Sequence, residues 1–393
     1  MHAGQIVAQF LEAHLSVMHG ARRRVLTGLV WVAMCGCALT LSKLARHMSG
    51  VNRSMKSSLK QVDRHIGHVR TKAECAQVAR ALLTCLCRWL SVLVIAVDWS
   101  SAAPGGAFVE LRASVVWLGM GRGLTVYQQV YPAAKQGNRR AEAALLNALA
   151  QWIPKDSAVV AVTDAGFRIP WFKRVEKHGW GWIGRIRGRS KMRIGEGLWQ
   201  EAMQWGHNAC TKAQRQSDCQ LTTHNRLPCD LVRVWRKRTG RKPYRRPGSG
   251  AICKARLEAK RSAREPWVLA HSTGLRSLRA DEIVALYARR MQIEENFRDT
   301  KSLHFGMGME IGRSRSALRL QALLLIGTLA AFLLWHIGQI AEAEGLHRKF
   351  MATTRKTREL SLITLGVQLC MHLTIPFSEQ GDHALRKHLG VPA

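Results

Sequence analysis

Apolar residues recur at helical intervals from Gln5 to about Met48, through Phe10, Leu11 and Leu15 and then from Leu26 to Leu44, with Gly20 and Gly36 as punctuation. The pattern predicts an all-helical start. Within and beyond it, Thr40 to Met48, a short break at Ser49 to Asn52, and a basic amphipathic segment from Ser54 to Ile66 predict a pair of short helices. After Leu90 the period changes. Val92 to Val97, Ala107 to Leu118 and Leu124 to Val130 are rich in β-branched residues, and the last two runs are separated by Gly119 to Gly123, so an antiparallel meander is expected. A helix over Asn138–Trp152, a buried strand over Ala158–Thr163, a short helix over Ile169–His178 and a strand over Trp182–Ile186 follow. Strand-like pieces at Gln220–Thr223, Leu231–Trp235 and Trp267–Ala270 then mark a β-rich stretch. A helical pattern over Tyr287–Lys301, a Gly-rich turn at His304–Met309, the apolar helix Leu318–Ile340 and a more polar helical tail complete the chain.

Two of the buried runs end on an acid, Asp98 after Val92–Val97 and Asp164 after Ala158–Thr163. A carboxylate at the end of an apolar strand is costly unless compensated. A cap on the following turn would do this for one acid, and a divalent metal would do it for both. The order β-β-β-α-β-α-β, then an interruption, then a helix carrying Glu294 is that of an RNase H-like fold. On a helix at about 100° per residue, Tyr287, Arg290, Glu294 and Lys301 fall within roughly 60° of arc, with Lys301 about 10 Å further along the axis. That face is either a solvated amphipathic surface or a carboxylate set among groups that grip phosphates.

Charge narrows the partners. Lys and Arg total 60 against 26 Asp and Glu, a formal net charge of +34, and the basic residues are spread along all 393 residues. Nucleic acid is the expected partner and a membrane is not, since no basic cluster flanks a long apolar anchor. The longest apolar run, Ala322 to Trp335, falls short of a bilayer span and reads as a core helix. No charged segment followed by an apolar one opens the chain, so a cytoplasmic location is expected. The ten Cys include no Cys-x-x-Cys, and reduced, packed thiols are expected. A zinc site from Cys210, Cys219 and Cys229 with His207 or His224 fits no usual ligand spacing.

The helix pair at Thr40–Ile66 fits a helix-turn-helix in which Arg53, Lys56, Lys60 and Arg64 face DNA, and equally a plain bundle with a solvated basic face. The basic run from Arg233 to Arg246, with Arg236, Lys237 and Arg238 around Trp235 and Tyr244, suits phosphate contact with base stacking, or a solvated loop at its tip.

The spacing Tyr287-x-x-Arg290-x-x-x-Glu294-x-x-x-x-x-x-Lys301 resembles the signature of the fourth insertion-sequence family of bacterial DDE transposases. VDWS at Val97–Ser100 and TDAGFRIPWF at Thr163–Phe172 are most similar to its transposon-ten branch, and the likeness extends over nearly the whole chain. The resemblance implies an α/β architecture with an RNase H-like catalytic core. The expected divisions are a helical DNA-binding domain at 1–88, the core at 89–186 and 279–340, a β-rich basic insertion at 187–278 and a helical tail at 341–393. It further implies Asp98, Asp164 and Glu294 as a triad holding two Mg²⁺ ions, with Mn²⁺ as a substitute, and Tyr287, Arg290 and Lys301 on terminal phosphates. Trp267 would accept a flipped base, or else is an ordinary tryptophan of the insertion. The implied activity is cut-and-paste transposition by nicking, hairpin formation and resolution, and strand transfer. The partners would be double-stranded DNA, as terminal inverted repeats and target, and a second copy of the chain in a synaptic homodimer, in a bacterial nucleoid-associated setting. A non-catalytic DNA-binding regulator and an RNase H-like nuclease outside transposition are the alternatives.

Overall fold

The computed structural model describes residues 2–49, 54–188, 190–236, 265–372 and 375–392. The fold is mixed α/β and divides into two compact units, one from Met1–Ala158 with Met291–Ala393, the other Val159–Arg290.

The first unit opens with five helices, α1 (Ala3–His14), α2 (Gly20–Met34), α3 (Leu41–Met48), α4 (Met55–Ile66) and α5 (Thr71–Cys87). Side chains that accept from otherwise orphaned N–H groups set where α3 and α4 begin: Thr40 from Lys43 N at 3.3 Å and Ser54 from Ser57 N at 3.3 Å. Strands β1 (Val92–Ser101), β2 (Phe108–Val115) and β3 (Leu124–Pro132) form the expected antiparallel meander, in the order β3-β2-β1. Helix α6 (Arg139–Trp152) follows, started by Asn138, whose side chain accepts from Arg140 N and Ala141 N.

In the second unit β4 (Ala158–Thr163), α7 (Ile169–Lys177) and β5 (Gly181–Ile186) lead into β6 (Lys191–Ile194), β7 (Gln200–Glu201), α8 (Ala202–Gly206), β8 (Gln214–Leu221), β9 (Leu227–Val234), β10 (Trp267–His271) and α9 (Ala280–Ala288). β4 and β5 are parallel, and the order β4-β5-β10-β9-β8-β6-β7 joins the strands of the β-rich stretch to them. Gly184 in β5 has no substitute, because a Cβ there would lie 2.4 Å from the Phe172 ring of α7.

The chain returns to the first unit with α10 (Met291–Lys301), α11 (Ala317–Ala343), α12 (Leu362–Cys370) and α13 (Glu379–Leu389). The apolar run expected to stop short of a bilayer span belongs to a longer helix: α11 has 27 residues and is long and apolar enough to cross a membrane, with 78% of its apolar window buried inside the fold. It packs on α2, α5, β3 and α12. Gln321 ties it to β3 by accepting from Val130 N at 2.8 Å and donating to Gln128 O at 3.0 Å. Gly338 and Gly366 let α11 and α12 touch at the backbone, since a Cβ on either would fall 2.1–2.4 Å from a carbonyl oxygen of the other helix. The nine cysteines among the described residues are free thiols. Cys219 and Cys229 face each other in register across β8 and β9, and among the described residues no cluster of metal-binding side chains forms around them.

His336 of α11 is buried against Phe332, Trp335 and His388, and neither ring nitrogen has a hydrogen-bond partner. Burial, helped by the neighbouring His388, pushes its pKa down to about 3. The folded protein therefore keeps this imidazole neutral at pH values where the unfolded chain, titrating near 6.5, takes up a proton. Stability falls as pH drops below about 6.5, and this one group removes about 2 kcal/mol between pH 7 and pH 5. Urea unfolding at both pH values should show His336→Phe losing that much less than the wild type. Equal losses would mean the ring is solvated or paired.

Candidate functional site

Each unit assembles part of the predicted chemistry. In the first, α10 packs against β1, so the helix bearing Glu294 and Lys301 lies on the strand bearing Asp98. Asp98 does not end its strand as expected. β1 runs on to Ser101, with Asp98 opposite Arg112 and Ser100 opposite Glu110 on β2. Residues opposed in an antiparallel pair project to the same face, so two strands present an acid, a hydroxyl, an acid and a cation together. Asp98 Oδ1 accepts from Trp99 N at 2.8 Å. Glu294 is exposed in the first turn of α10, where the positive end of the helix dipole favours a carboxylate.

Glu110 and Arg112 have essentially no exposed surface. Arg112 Nη2 donates to Glu110 Oε2 at 2.9 Å, its Nη1 donates to Asn296 Oδ1 and to Thr300 Oγ1, and its guanidinium lies 4.5 Å from the centre of the Phe297 ring. Lys301 completes the group. Its Nζ donates to Ser100 Oγ at 2.6 Å, stands 3.6 Å from Glu110 Oε1 and sits 4.7 Å from the Phe297 ring centre. Burial pushes the Lys301 ammonium below its ordinary range, and Glu110 opposes that shift. Lys301 is thus held at one place beside the Asp98 strand.

In the second unit Asp164 follows β4 directly and accepts from Gly166 N at 2.9 Å, an Asx turn that fixes the carboxylate. Tyr287 is buried on α9 and meets the Trp267 ring edge-on at 5.0 Å. Arg185 of β5 and Arg236 lie 5.9 and 5.1 Å from the Trp267 ring centre, and Arg290 lies 6.0 Å from that of Tyr287. Burial raises the Tyr287 phenol above its ordinary range, Arg290 and Arg185 pull it back, and Asp164 adds to the rise. Burial likewise lowers the Arg185 guanidinium. Two rings and three arginines thus gather near an acid, a set suited to a base and its phosphate.

One expectation fails in its geometry. Tyr287, Arg290, Glu294 and Lys301 are not carried by one continuous helix, because α9 ends at Ala288 and α10 starts at Met291. Arg289 N and Arg290 N bond to carbonyls three residues back, at 3.2 and 3.0 Å, a tighter turn between the two helices. Tyr287 and Arg290 belong to one unit, Glu294 and Lys301 to the other.

Lys56, Lys60 and Arg64 are exposed on α4 at helical spacing. Arg53, Lys237 and Arg238 lie outside the described residues. Trp235 is 42% exposed, more open than the half-buried Trp267. Neither Arg185 nor the Glu110–Arg112 pair was anticipated. Their signal in the sequence is a lone cation, or a Glu-x-Arg, inside an apolar strand.

Asp98, Asp164 and Glu294 are hard oxygen donors, and two of the three are oriented by a backbone N–H, which suits Mg²⁺ or Mn²⁺ better than a softer metal. Among the described residues, no three His, Cys, Asp or Glu side chains are grouped so as to hold a metal ion.

The sequence model described as "Transposase DDE domain" matches residues 115–333, more than half of the chain. The span includes Asp164, Trp267, Tyr287, Arg290, Glu294 and Lys301, and leaves Asp98 outside. Among solved structures, the chain is similar to that in a cryo-EM structure of the piggyBac transposase synaptic complex with hairpin DNA, at 12% identity over 99% of this chain and 83% of that one, with a TM-score of 0.43. No curated protein matches it.

Proposed function

Since the chain belongs to the transposase DDE domain family, we propose that it is a cut-and-paste DNA transposase of an insertion sequence, with an RNase H-like core and the fourth-family signature at Tyr287, Arg290, Glu294 and Lys301. The observation that carries this reading is the packing of α10 on β1, with Lys301 Nζ bonded to Ser100 two residues beyond Asp98. Asp98, Asp164 and Glu294 would hold two Mg²⁺ ions, which supply the Lewis acidity that activates a water or 3′-hydroxyl and steadies the leaving oxygen. The chain's own residues place the DNA. Lys301, fixed by Ser100 and Glu110, offers a cation to a phosphate at the Asp98 strand, and Arg290 and Tyr287 offer a cation and a phenol beside Asp164. Incubation with a cognate element end and Mg²⁺ should give a nicked strand and then a hairpin on the element end. Absence of any Mg²⁺-dependent nick at that end would refute the reading.

Trp267 is the platform for a base flipped out as the strand bends into the hairpin. In the free protein its ring is approached by Arg236 and Arg185, so a base entering there meets an indole and two cations. Stacking of this kind contributes about 1–3 kcal/mol. Trp267→Ala is therefore expected to slow hairpin formation by roughly ten- to a hundredfold while first-strand nicking stays near normal. Nicking and hairpinning reduced together, with a lower melting temperature, would assign Trp267 to structure alone.

The two ends of an element must be held together, so the active complex is a homodimer with one protomer per end. The mass of the complex on DNA measures this, and a monomer that excises both ends would contradict it.

A further inference from the structure

A cleft of about 640 Å³ opens in the first unit between the start of α3, the end of α4 and the segment 311–319. Its lining includes Lys43, Arg313, Arg315 and Arg319. Arg319 is paired with Asp63 of α4 at 2.8 Å. The other three cations have no acidic partner among the described residues. The backbone between Gly312 and Ser316 is extended at both ends, and burial alternates along it, with Arg313 and Arg315 exposed and Ser314 and Ser316 half-buried. In an extended chain, residues two apart lie about 6.6 Å from each other on one side, comparable to the step between successive phosphates of a nucleic-acid strand. Ser314 is also among the lining residues, and its buried Oγ has no hydrogen-bond partner among the described residues.

We propose that this cleft is a second DNA-contacting site, beyond Lys56, Lys60 and Arg64, in which Arg313 and Arg315 take successive phosphates of one strand and Lys43 adds a further cation. It rests on the reading of the chain as a DNA-acting protein. Unpaired cations gathered in a concave surface repel one another, and an anion that bridges them relieves that repulsion. Among the described residues no aromatic ring lines the cleft, so they offer bases no stacking platform. Contacts from Arg, Lys and Ser to phosphates position a backbone without reading sequence. The site therefore holds a duplex in register irrespective of its sequence.

The test is the salt dependence of binding to a duplex of arbitrary sequence, followed by fluorescence anisotropy. Each phosphate contact on B-DNA contributes about 0.9 to the slope of log K against log salt. Arg313→Ala/Arg315→Ala should flatten the slope by about 1.8 with an unchanged melting temperature, since both side chains are exposed. Arg348→Ala/Lys349→Ala, which removes two exposed charges away from the cleft, should leave the slope nearly unchanged. A wild type that binds with salt dependence and an Arg313/Arg315 variant with the same slope would overturn this inference alone. Equal flattening by both pairs would also overturn it, by showing that net charge is all that matters. A wild type without salt-dependent binding would remove the DNA-acting reading along with it.

Discussion

Asp98→Ala, Asp164→Ala and Glu294→Ala are each expected to lower strand cleavage at an element end by at least roughly a thousandfold, because each removes a metal-holding carboxylate from a reaction that proceeds by positioning and charge stabilisation. Binding of end DNA should stay within a fewfold of the wild type, since acids repel phosphates. Glu294 is exposed, so its replacement leaves the fold untouched. Asp98 faces Arg112 across the sheet and lies outside the span matched to the family, which makes its variant the most informative of the three. Asp98→Asn controls for strand packing. Cleavage rates and end affinities measured side by side decide the matter, and a variant that still cleaves removes that residue from the triad.

Arg112→Leu should cost about 3–5 kcal/mol of stability, because it leaves the buried Glu110 with only the longer, 3.6 Å contact to Lys301 in place of the guanidinium at 2.9 Å. Its hydrogen bonds to Asn296 and Thr300 are lost too, which loosens α10 from the sheet. Replacing Glu110 and Arg112 together by Leu should recover much of that stability, since a well-packed apolar pair often matches a buried ion pair. The double variant nevertheless leaves Lys301 without its carboxylate, so end binding should weaken even where stability is recovered. Urea unfolding separates the two effects. A loss under about 1 kcal/mol for Arg112→Leu, small beside the cost of breaking a buried pair, would mean that Lys301 or water compensates Glu110.

Much of the architecture was legible because hydrophobic period changes where the elements change. The helices α3 and α4, the β1–β3 meander, α6, β4, α7 and β5 each lie where apolar spacing places them. The break between α9 and α10 was not legible. Tyr287 to Lys301 contains neither Gly nor Pro, and nothing in the local pattern marks the tight turn at Arg289–Arg290. The end of β1 is hidden for a related reason: the acid and hydroxyls between Asp98 and Ser101 look like a strand end, yet each residue pairs with one on β2, Asp98 with Arg112. Pairing across strands is non-local information. The Glu110–Arg112–Lys301 group was missed on the same ground, since its members are almost two hundred residues apart in part and meet only through packing.

Strand transfer separates a transposase from a nuclease of the same chemistry and from a protein that only binds DNA. The decisive measurement is to supply pre-cleaved element ends with free 3′-hydroxyls, a target plasmid and Mg²⁺, and to sequence the junctions formed. The account predicts 3′ ends of the element joined covalently to target strands by the wild type and not by Glu294→Ala. Cleaved or bound DNA without any joined junction, or junctions that persist in Glu294→Ala, would contradict it.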